Sequence, residues 1–476
     1  MPRGPVTAAQ ALTLMATALA VGFAGGFVMR SRWAMLVVSI THVVAFELGR
    51  LGTEGATVAG INPDTTFGIL GFLVSRGFYG LIGLIPMLVA VAYGAALARR
   101  LRGVEPRPRR LRSRVGLYFR RAVTVLIAVS VAALAVLIAR PATVPPIRDA
   151  NGDTVPGSVA ALEKVKIGGV DQWIEIRAWS ADNPVLLSIP GGPGQSDLAL
   201  SRPTLGQLAK DFVVVSWDQR GIGKSYPSFD PEEITTEQAV ADTIELTDYL
   251  RERFGERKIY LFGESGGSVI GVLAVQQRPE LYHAWIGSGQ MVNLRETDRR
   301  IYDGLLAYAA GTGDTALEDK LRGYGPPPYE DVWAYGYVMT QYDKLEGEYD
   351  APAAYTDAHE KAGVGFFGVM GSEYTLVDKM NIFRGLIDVY AVLYPQWQGI
   401  DFRRTATRLE VPVYMFTGDH ELDGRRELSL EWFDDLEAPI KRVYRYEDAG
   451  HAAAFEHFRD LHRIMKTTVV PETYSN

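Results

Sequence analysis

Ser265 stands in the run Gly263-Glu264-Ser265-Gly266-Gly267. A hydroxyl framed in this way can serve as the nucleophile of an acyl transfer, once a base and an orienting acid are supplied. The apolar run Lys258-Ile259-Tyr260-Leu261-Phe262 precedes it and predicts a buried strand. Ser268-Val269-Ile270-Gly271-Val272-Leu273-Ala274 follows and predicts the start of a helix. Strand, Gly-x-Ser-x-Gly and helix in that order describe a nucleophile elbow, a sharp turn that leaves the serine oxygen exposed above a sheet. The flanking glycines leave room where backbone segments would otherwise collide with a side chain. The chemically bland alternative is an ordinary Gly/Ser turn.

The base and the acid must come from later loops, in the order Ser, Asp or Glu, His. The histidines after Ser265 are His283, His359, His420, His451, His457 and His462. His451 follows the strand-like Val443-Tyr444-Arg445-Tyr446 and precedes a helical stretch from about Phe455, so it is the expected base. His457 and His462 fall on the terminal helical pattern. The strand-like run Val411 to Thr417 leads into Gly418-Asp419-His420-Glu421-Leu422-Asp423, where three carboxylates compete for the acid's place. For the oxyanion, Val185 to Ile189 predicts a strand that opens into Pro190-Gly191-Gly192-Pro193-Gly194. Prolines carry no N–H, so a donor must come from a glycine, and Gly192 is the choice. The second donor is the N–H of Gly266, the residue after the nucleophile.

Gly191-Gly192-Pro193-Gly194, the run Asp218-Gln219-Arg220-Gly221-Ile222-Gly223-Lys224-Ser225 and the Ser265 elbow together resemble the prolyl iminopeptidase-like (S33-like) branch of the α/β-hydrolases. Gly325-Pro326-Pro327-Pro328-Tyr329 and Ser372-Glu373-Tyr374-Thr375 are similar to cap motifs of a subgroup of that branch, and the likeness covers the last two thirds of the chain. It implies an α/β-hydrolase fold: a mostly parallel sheet with helices on both faces and an inserted helical cap. It also implies an acid three residues after the loop glycine, which is Glu421, with Asp423 as runner-up and Asp419 third. The implied activity is that of an aminopeptidase removing N-terminal proline or a similar small residue, with Glu373 of the cap meeting the substrate amine. Two positions depart from the branch. Pro190 stands where it usually has His before Gly-Gly-Pro-Gly, and Gly266 where its peptidases often have Trp after the nucleophile. Both are near the substrate, so the likeness carries fold and triad better than specificity; a carboxylesterase or lipid hydrolase, favoured by a membrane location, is the second reading. A receptor using the fold without catalysis is the third. Asp218 and Arg220 are read as scaffold.

The elements that position these residues occupy only part of the 476-residue chain. Residues 1–140 are rich in Ala, Val, Leu and Gly, with four apolar stretches: Val6 to Met29, Trp33 to Leu48, Gly77 to Ala98 and Ala122 to Ala139. A bilayer crossing takes about 20 residues, so four spans are expected, with Thr66 to Val74 re-entrant or interfacial. Arg99, Arg100, Arg102, Arg107, Arg109, Arg110, Arg112, Arg114, Arg120 and Arg121 face one acid, Glu105, between the last two, and Arg30 and Arg32 fill the first loop. The positive-inside rule assigns both loops to the cytoplasm. Both termini, and the hydrolase with its peptide or small ester or amide substrate, are then extracytoplasmic on the cell membrane of a bacterium. The bilayer is the expected partner of residues 1–140, and a nucleic-acid role for the basic loop is rejected beside two spans. His42 and Glu47, in or near the second span, receive no role.

Residues 141–158, with Pro145-Pro146, read as a linker, and 159–476 as the hydrolase domain. Within it the strand pattern stops between Gly287 and Val411, and a helical pattern rich in Tyr, Trp and Phe predicts a cap at about 290–405. Most of the acids behind the whole-chain net charge of -7 lie in this soluble part, and there is no cysteine for thiolate chemistry. No His/carboxylate spacing suggests a metal, and no cofactor is expected. Gly221-Ile222-Gly223-Lys224-Ser225 lacks the first glycine of a phosphate loop.

Overall fold

The computed structural model describes residues 2–31, 33–60, 62–102 and 111–474. Arg32, Glu105, Arg107, Arg109 and Arg110, which contribute to the expected loop charge, lie outside the described residues. The chain forms two compact units, one made mainly of residues 1–142 and one mainly of 143–476.

The first unit is helical: Ala8–Met29, Trp33–Leu48, Thr66–Phe72, Phe78–Leu101 and Leu111–Ala139. Thr7 caps the first helix by accepting a hydrogen bond from the Gln10 N–H. Small residues let that helix lie against Phe78–Leu101. A Cβ on Gly26 would sit 2.1 Å from the Val91 carbonyl oxygen, and one on Gly94 would sit 2.2 Å from that of Phe23. Close backbone approach over glycine is how helices pack where water supplies no driving force. Three helices are long and apolar enough to cross a membrane, Ala8–Met29, Thr66–Leu101 and Arg121–Ala139, and Trp33–Leu48 is a shorter apolar helix. The stretch Thr66 to Val74, expected as re-entrant or interfacial, instead leads through one π-helical turn, Leu73–Gly77, into the helix that follows. Near its start Arg76 makes a bidentate pair with Glu47, at 3.0 and 3.1 Å.

The second unit is built on eight strands: β1 (Val159–Ile167), β2 (Val170–Ala178), β3 (Val185–Ile189), β4 (Val213–Asp218), β5 (Ile259–Glu264), β6 (Tyr282–Ser288), β7 (Val413–Gly418) and β8 (Lys441–Tyr446). Their order across the sheet is β1-β2-β4-β3-β5-β6-β7-β8. β2 runs antiparallel to both neighbours, and the pairings from β4 through β8 are parallel. Every residue of β3, β4, β5, β6 and β7 is buried. Helices cover both faces of a parallel sheet, so these strands read as near-continuous apolar runs. The edge strand β8 keeps Lys441, Arg442 and Arg445 toward solvent, which discourages pairing with another chain. Leu186, Phe212, Phe262, Ile286 and Phe416 form a core with Leu461 and Met465 of the terminal helices. Ile147, from the stretch read as linker, is buried in the same core.

Between β6 and β7 the chain forms helices from Leu294–Thr312 through Phe402–Thr405 and, among the described residues, no strand. The architecture is an α/β-hydrolase fold with an inserted helical cap, preceded by a helical region with apolar helices.

Candidate active site

In parallel sheets, functional loops gather beyond the carboxyl ends of the strands. Here the ends of β3, β5, β7 and β8 carry the four expected pieces. Ser265 follows β5 and opens the helix Gly266–Gln277 with φ 53° and ψ −124°. A non-glycine residue at positive φ is strained and persists only where its surroundings hold it. The restraints are visible. The Ser265 N–H donates to the Ser288 carbonyl at 3.0 Å, and Ser268 Oγ donates to the Ser265 carbonyl at 2.5 Å. The Met291 N–H donates in turn to Ser268 Oγ at 2.9 Å. Both motif glycines are sterically required: a Cβ on Gly267 would lie 2.4 Å from the Ile189 carbonyl oxygen, and one on Gly263 2.4 Å from the Trp285 ring.

The loop after β3 meets the elbow directly, since a Cβ on Gly266 would lie 2.6 Å from the Gly192 carbonyl oxygen. Gly192 has φ 106°, a conformation glycine adopts freely. Gly266 is the first residue of its helix, where N–H groups lack intrahelical acceptors and the dipole favours negative charge.

His451 and Glu421 are brought together. His451 Nδ1 hydrogen-bonds Glu421 Oε2. Glu421 Oε1 accepts from the Leu422 N–H at 2.9 Å, so both carboxylate oxygens are used. The loops that carry them are tied by the His420 N–H donating to the Ala449 carbonyl at 3.0 Å. The base loop is tied to β6 by the Ala454 N–H donating to Ser288 Oγ at 3.1 Å. Burial works against the charge of both groups. Their mutual attraction and hydrogen bond outweigh it, holding the Glu421 carboxyl below and the His451 imidazole above their ordinary values. A carboxylate on Nδ1 fixes the tautomer that leaves Nε2 to act as base.

The competing carboxylates are engaged elsewhere. Asp423 starts the helix Asp423–Asp435 and pairs with Arg426, its side chain 76% exposed. Asp419 pairs with Arg445 at 2.8 Å. Among the other histidines, His462 contacts Asp211 at 2.7 Å and His457 contacts Asp448 at 3.0 Å. Glu373 is fully buried and pairs with Arg202 at 2.7 Å, so its charge is already compensated. Asp218 accepts from Ser196 Oγ and the Lys224 N–H, and Arg220 pairs with Asp242 and Glu233, bracing the loops that carry them.

Three residues were missed by reading motifs. Arg425 Nη1 lies 3.5 Å from Glu421 Oε1 and 3.5 Å from His451 Nδ1. Its guanidinium also sits 5.0 Å from the centre of the Tyr342 ring. Position i+4 from Glu421 on a helix start is the one signal that could have pointed to it. Glu264, inside the elbow motif, holds Oε1 3.6 Å from His451 Nε2. Burial pushes its carboxyl up to about 7. Glu346 of the cap is raised by burial and by the charge of Glu421. The surroundings of His451 are therefore rich in carboxylates.

Residues 206–315 match the family described as serine aminopeptidase, S33. Over 306 residues the chain is 27% identical to "Probable aminopeptidase YbaC" of Bacillus subtilis (strain 168), covering 63% of this chain and 93% of that one. It is 30% identical to the human serine hydrolase BPHL over 153 residues, 31% of this chain and 50% of that one. Among solved structures, a proline iminopeptidase-related protein from Thermus thermophilus superposes with a TM-score of 0.45 at 20% identity, covering 66% of this chain and 98% of that one. Proline iminopeptidase of Mycobacterium smegmatis gives 0.44 at 13%, covering 65% and 98%.

Proposed function

We infer that this chain, an α/β-hydrolase of the prolyl iminopeptidase-like (S33-like) branch, is a membrane-anchored serine aminopeptidase working through Ser265, His451 and Glu421. The observation that carries the reading is the Glu421–His451 pair, formed from the loops after β7 and β8 beside the strained elbow of Ser265. His451 Nε2 takes the Ser265 proton as Oγ attacks the acyl carbon. The resulting oxyanion is met by the N–H groups of Gly192 and Gly266, donors of a kind worth about 3 to 4 kcal/mol each. The imidazolium then delivers its proton to the leaving amine, the C–N bond breaks, and an acyl-Ser265 ester remains. Water, deprotonated by His451, hydrolyses that ester and returns the serine.

A substrate with a free amine is favoured by the surroundings of His451, where Glu264 and Glu346 place two further carboxyl groups whose ionised form an ammonium group would stabilise. The aminopeptidase name of the Bacillus relative supports the same class. N-terminal proline is the proposed residue, from the branch the motifs resemble. Glu373, paired with Arg202, is the weaker candidate for the amine's partner. Ester or lipid hydrolysis is the second reading, favoured by the apolar helices. Four spans with the hydrolase outside are proposed. Trp33–Leu48, with 16 residues, rises about 24 Å, so it would cross only where the bilayer thins or flanking residues extend it.

A fluorophosphonate probe should label wild type and fail on Ser265→Ala. Folded wild type that takes no label would overturn the serine mechanism. Glu421→Gln should lose about a thousandfold or more in kcat, while Asp423→Asn keeps its rate. Turnover of prolyl arylamide against aryl esters then separates peptidase from esterase.

A further inference from the structure

His451 lies between two carboxylates, and only one belongs to the proposed triad. Glu421 occupies Nδ1, while Glu264 Oε1 lies 3.6 Å from Nε2, the nitrogen that must serve Ser265. With Nδ1 donating to Glu421, a bare Nε2 and an ionised Glu264 would face each other lone pair to lone pair. At 3.6 Å, beyond hydrogen-bond reach, the contact is electrostatic, and it is most favourable with opposite charges, an imidazolium beside a carboxylate. Glu264 has little room to withdraw. Its side chain is 7% exposed, and its Oε2 is close enough to Gly191 that a Cβ there would lie 2.4 Å away. The surrounding charges are mixed. Arg425 faces the imidazole from the helix after the acid loop, and Glu346 faces it from the cap. Asp197 of the oxyanion loop and Tyr355 of the cap face Glu264.

We propose that Glu264 is a specificity-determining residue: in the resting enzyme it holds His451 protonated at Nε2, and a substrate ammonium group takes over its charge and frees the base. The inference rests on the aminopeptidase reading above and adds selection to it. A substrate lacking a cation leaves the Glu264–His451 pair intact and meets a base that is partly disabled. One bearing an ammonium group replaces the imidazolium as the counter-ion of Glu264, and the Nε2 proton passes to water. Position and charge both fit, since Glu264 is the chain neighbour of the nucleophile and touches the oxyanion loop.

The test uses the full chain in detergent, with the isosteric Glu264→Gln variant, a neutral aryl acetate and a prolyl arylamide. On the acetate, removing a charge that favours the imidazolium should move the acid limb of kcat/KM to lower pH by about one unit, roughly a tenfold gain on that limb. On the arylamide, KM should rise by about thirtyfold or more as the ammonium loses its partner. An unmoved acid limb, or equal losses on both substrates, would overturn the proposal and leave Glu264 as scaffold. Should Glu264→Gln fail to fold, wild type decides alone. Pyrrolidinium chloride should accelerate acetate turnover near pH 6 relative to sodium chloride at equal ionic strength, and no acceleration refutes the exchange. Fluorophosphonate labelling of wild type keeps the two readings apart: absence of label defeats the serine mechanism, whereas a labelled enzyme with an unmoved limb defeats only the role of Glu264.

Discussion

Replacing Arg425 by Met should raise the pH at which the enzyme switches on, because Arg425 acts on His451 and Glu421 with opposite sign. Its Nη1 is 3.5 Å from Glu421 Oε1 and 3.5 Å from His451 Nδ1, with the Arg425 side chain 10% exposed. At such a separation and an effective dielectric of about 20, each unit-charge interaction is worth about 4 to 5 kcal/mol before relaxation. With His451 neutral, Arg425 gains the whole attraction to Glu421. With His451 protonated, repulsion of nearly equal size cancels that gain. Arg425 therefore favours the neutral base and pulls the imidazole down against the upward pull of Glu421. Removing it lets His451 rise. The gross figure corresponds to about three pH units, and solvent and relaxation reduce that to about one or two. The assay is the rate of fluorophosphonate labelling, or kcat/KM on an aryl ester, from about pH 5 to 10. Arg425→Met should lose about ten- to a hundredfold at neutral pH and recover at alkaline pH. Arg425→Lys, which keeps the charge, should shift less. An acid limb that stays in place or moves down would refute the electrostatic account. A uniform loss at every pH would make Arg425 a packing residue only.

Gly266→Ala should cost about ten- to a thousandfold in kcat, because its Cβ would lie 2.6 Å from the Gly192 carbonyl oxygen and push the two donor segments apart. Unchanged kcat would remove these backbones from the oxyanion site. Glu373→Gln should destabilise by about 3 kcal/mol, read as a lower melting temperature, since it strands the buried charge of Arg202. KM for prolyl arylamide should stay the same, and a raised KM with an unaltered melting temperature would restore Glu373 as the amine's partner. Alkaline phosphatase fused after the last residue should be active if the hydrolase is extracytoplasmic, and an inactive fusion beside an active cytosolic reporter would reverse the topology.

The sequence by itself determined the elements and their order. Gly263, Ser265 and Gly267 announce the elbow because only small residues survive contacts as short as those with the Ile189 carbonyl and the Trp285 ring. The buried strands β3 to β7 are readable because a sheet covered on both faces needs near-continuous apolar runs. His451 could be picked out, and the acid narrowed to the loop carrying Asp419, Glu421 and Asp423, because loop order along the chain becomes loop adjacency at one end of the sheet. What only the tertiary structure decided is where charges meet. Glu373 and Arg202 lie 171 positions apart, and nothing local announces their pair. Glu264 stood inside the motif, yet its approach to His451 depends on β8 delivering a loop beside β5 across two intervening strands. The same holds for the carboxylate that pairs with His451. Asp419, Glu421 and Asp423 are chemically interchangeable in a sequence, and helix geometry sends Asp423 to solvent while packing turns Glu421 inward. Hydrophobic pattern is a local property of the chain and can be read along it, whereas electrostatic partnership is a property of distance in space.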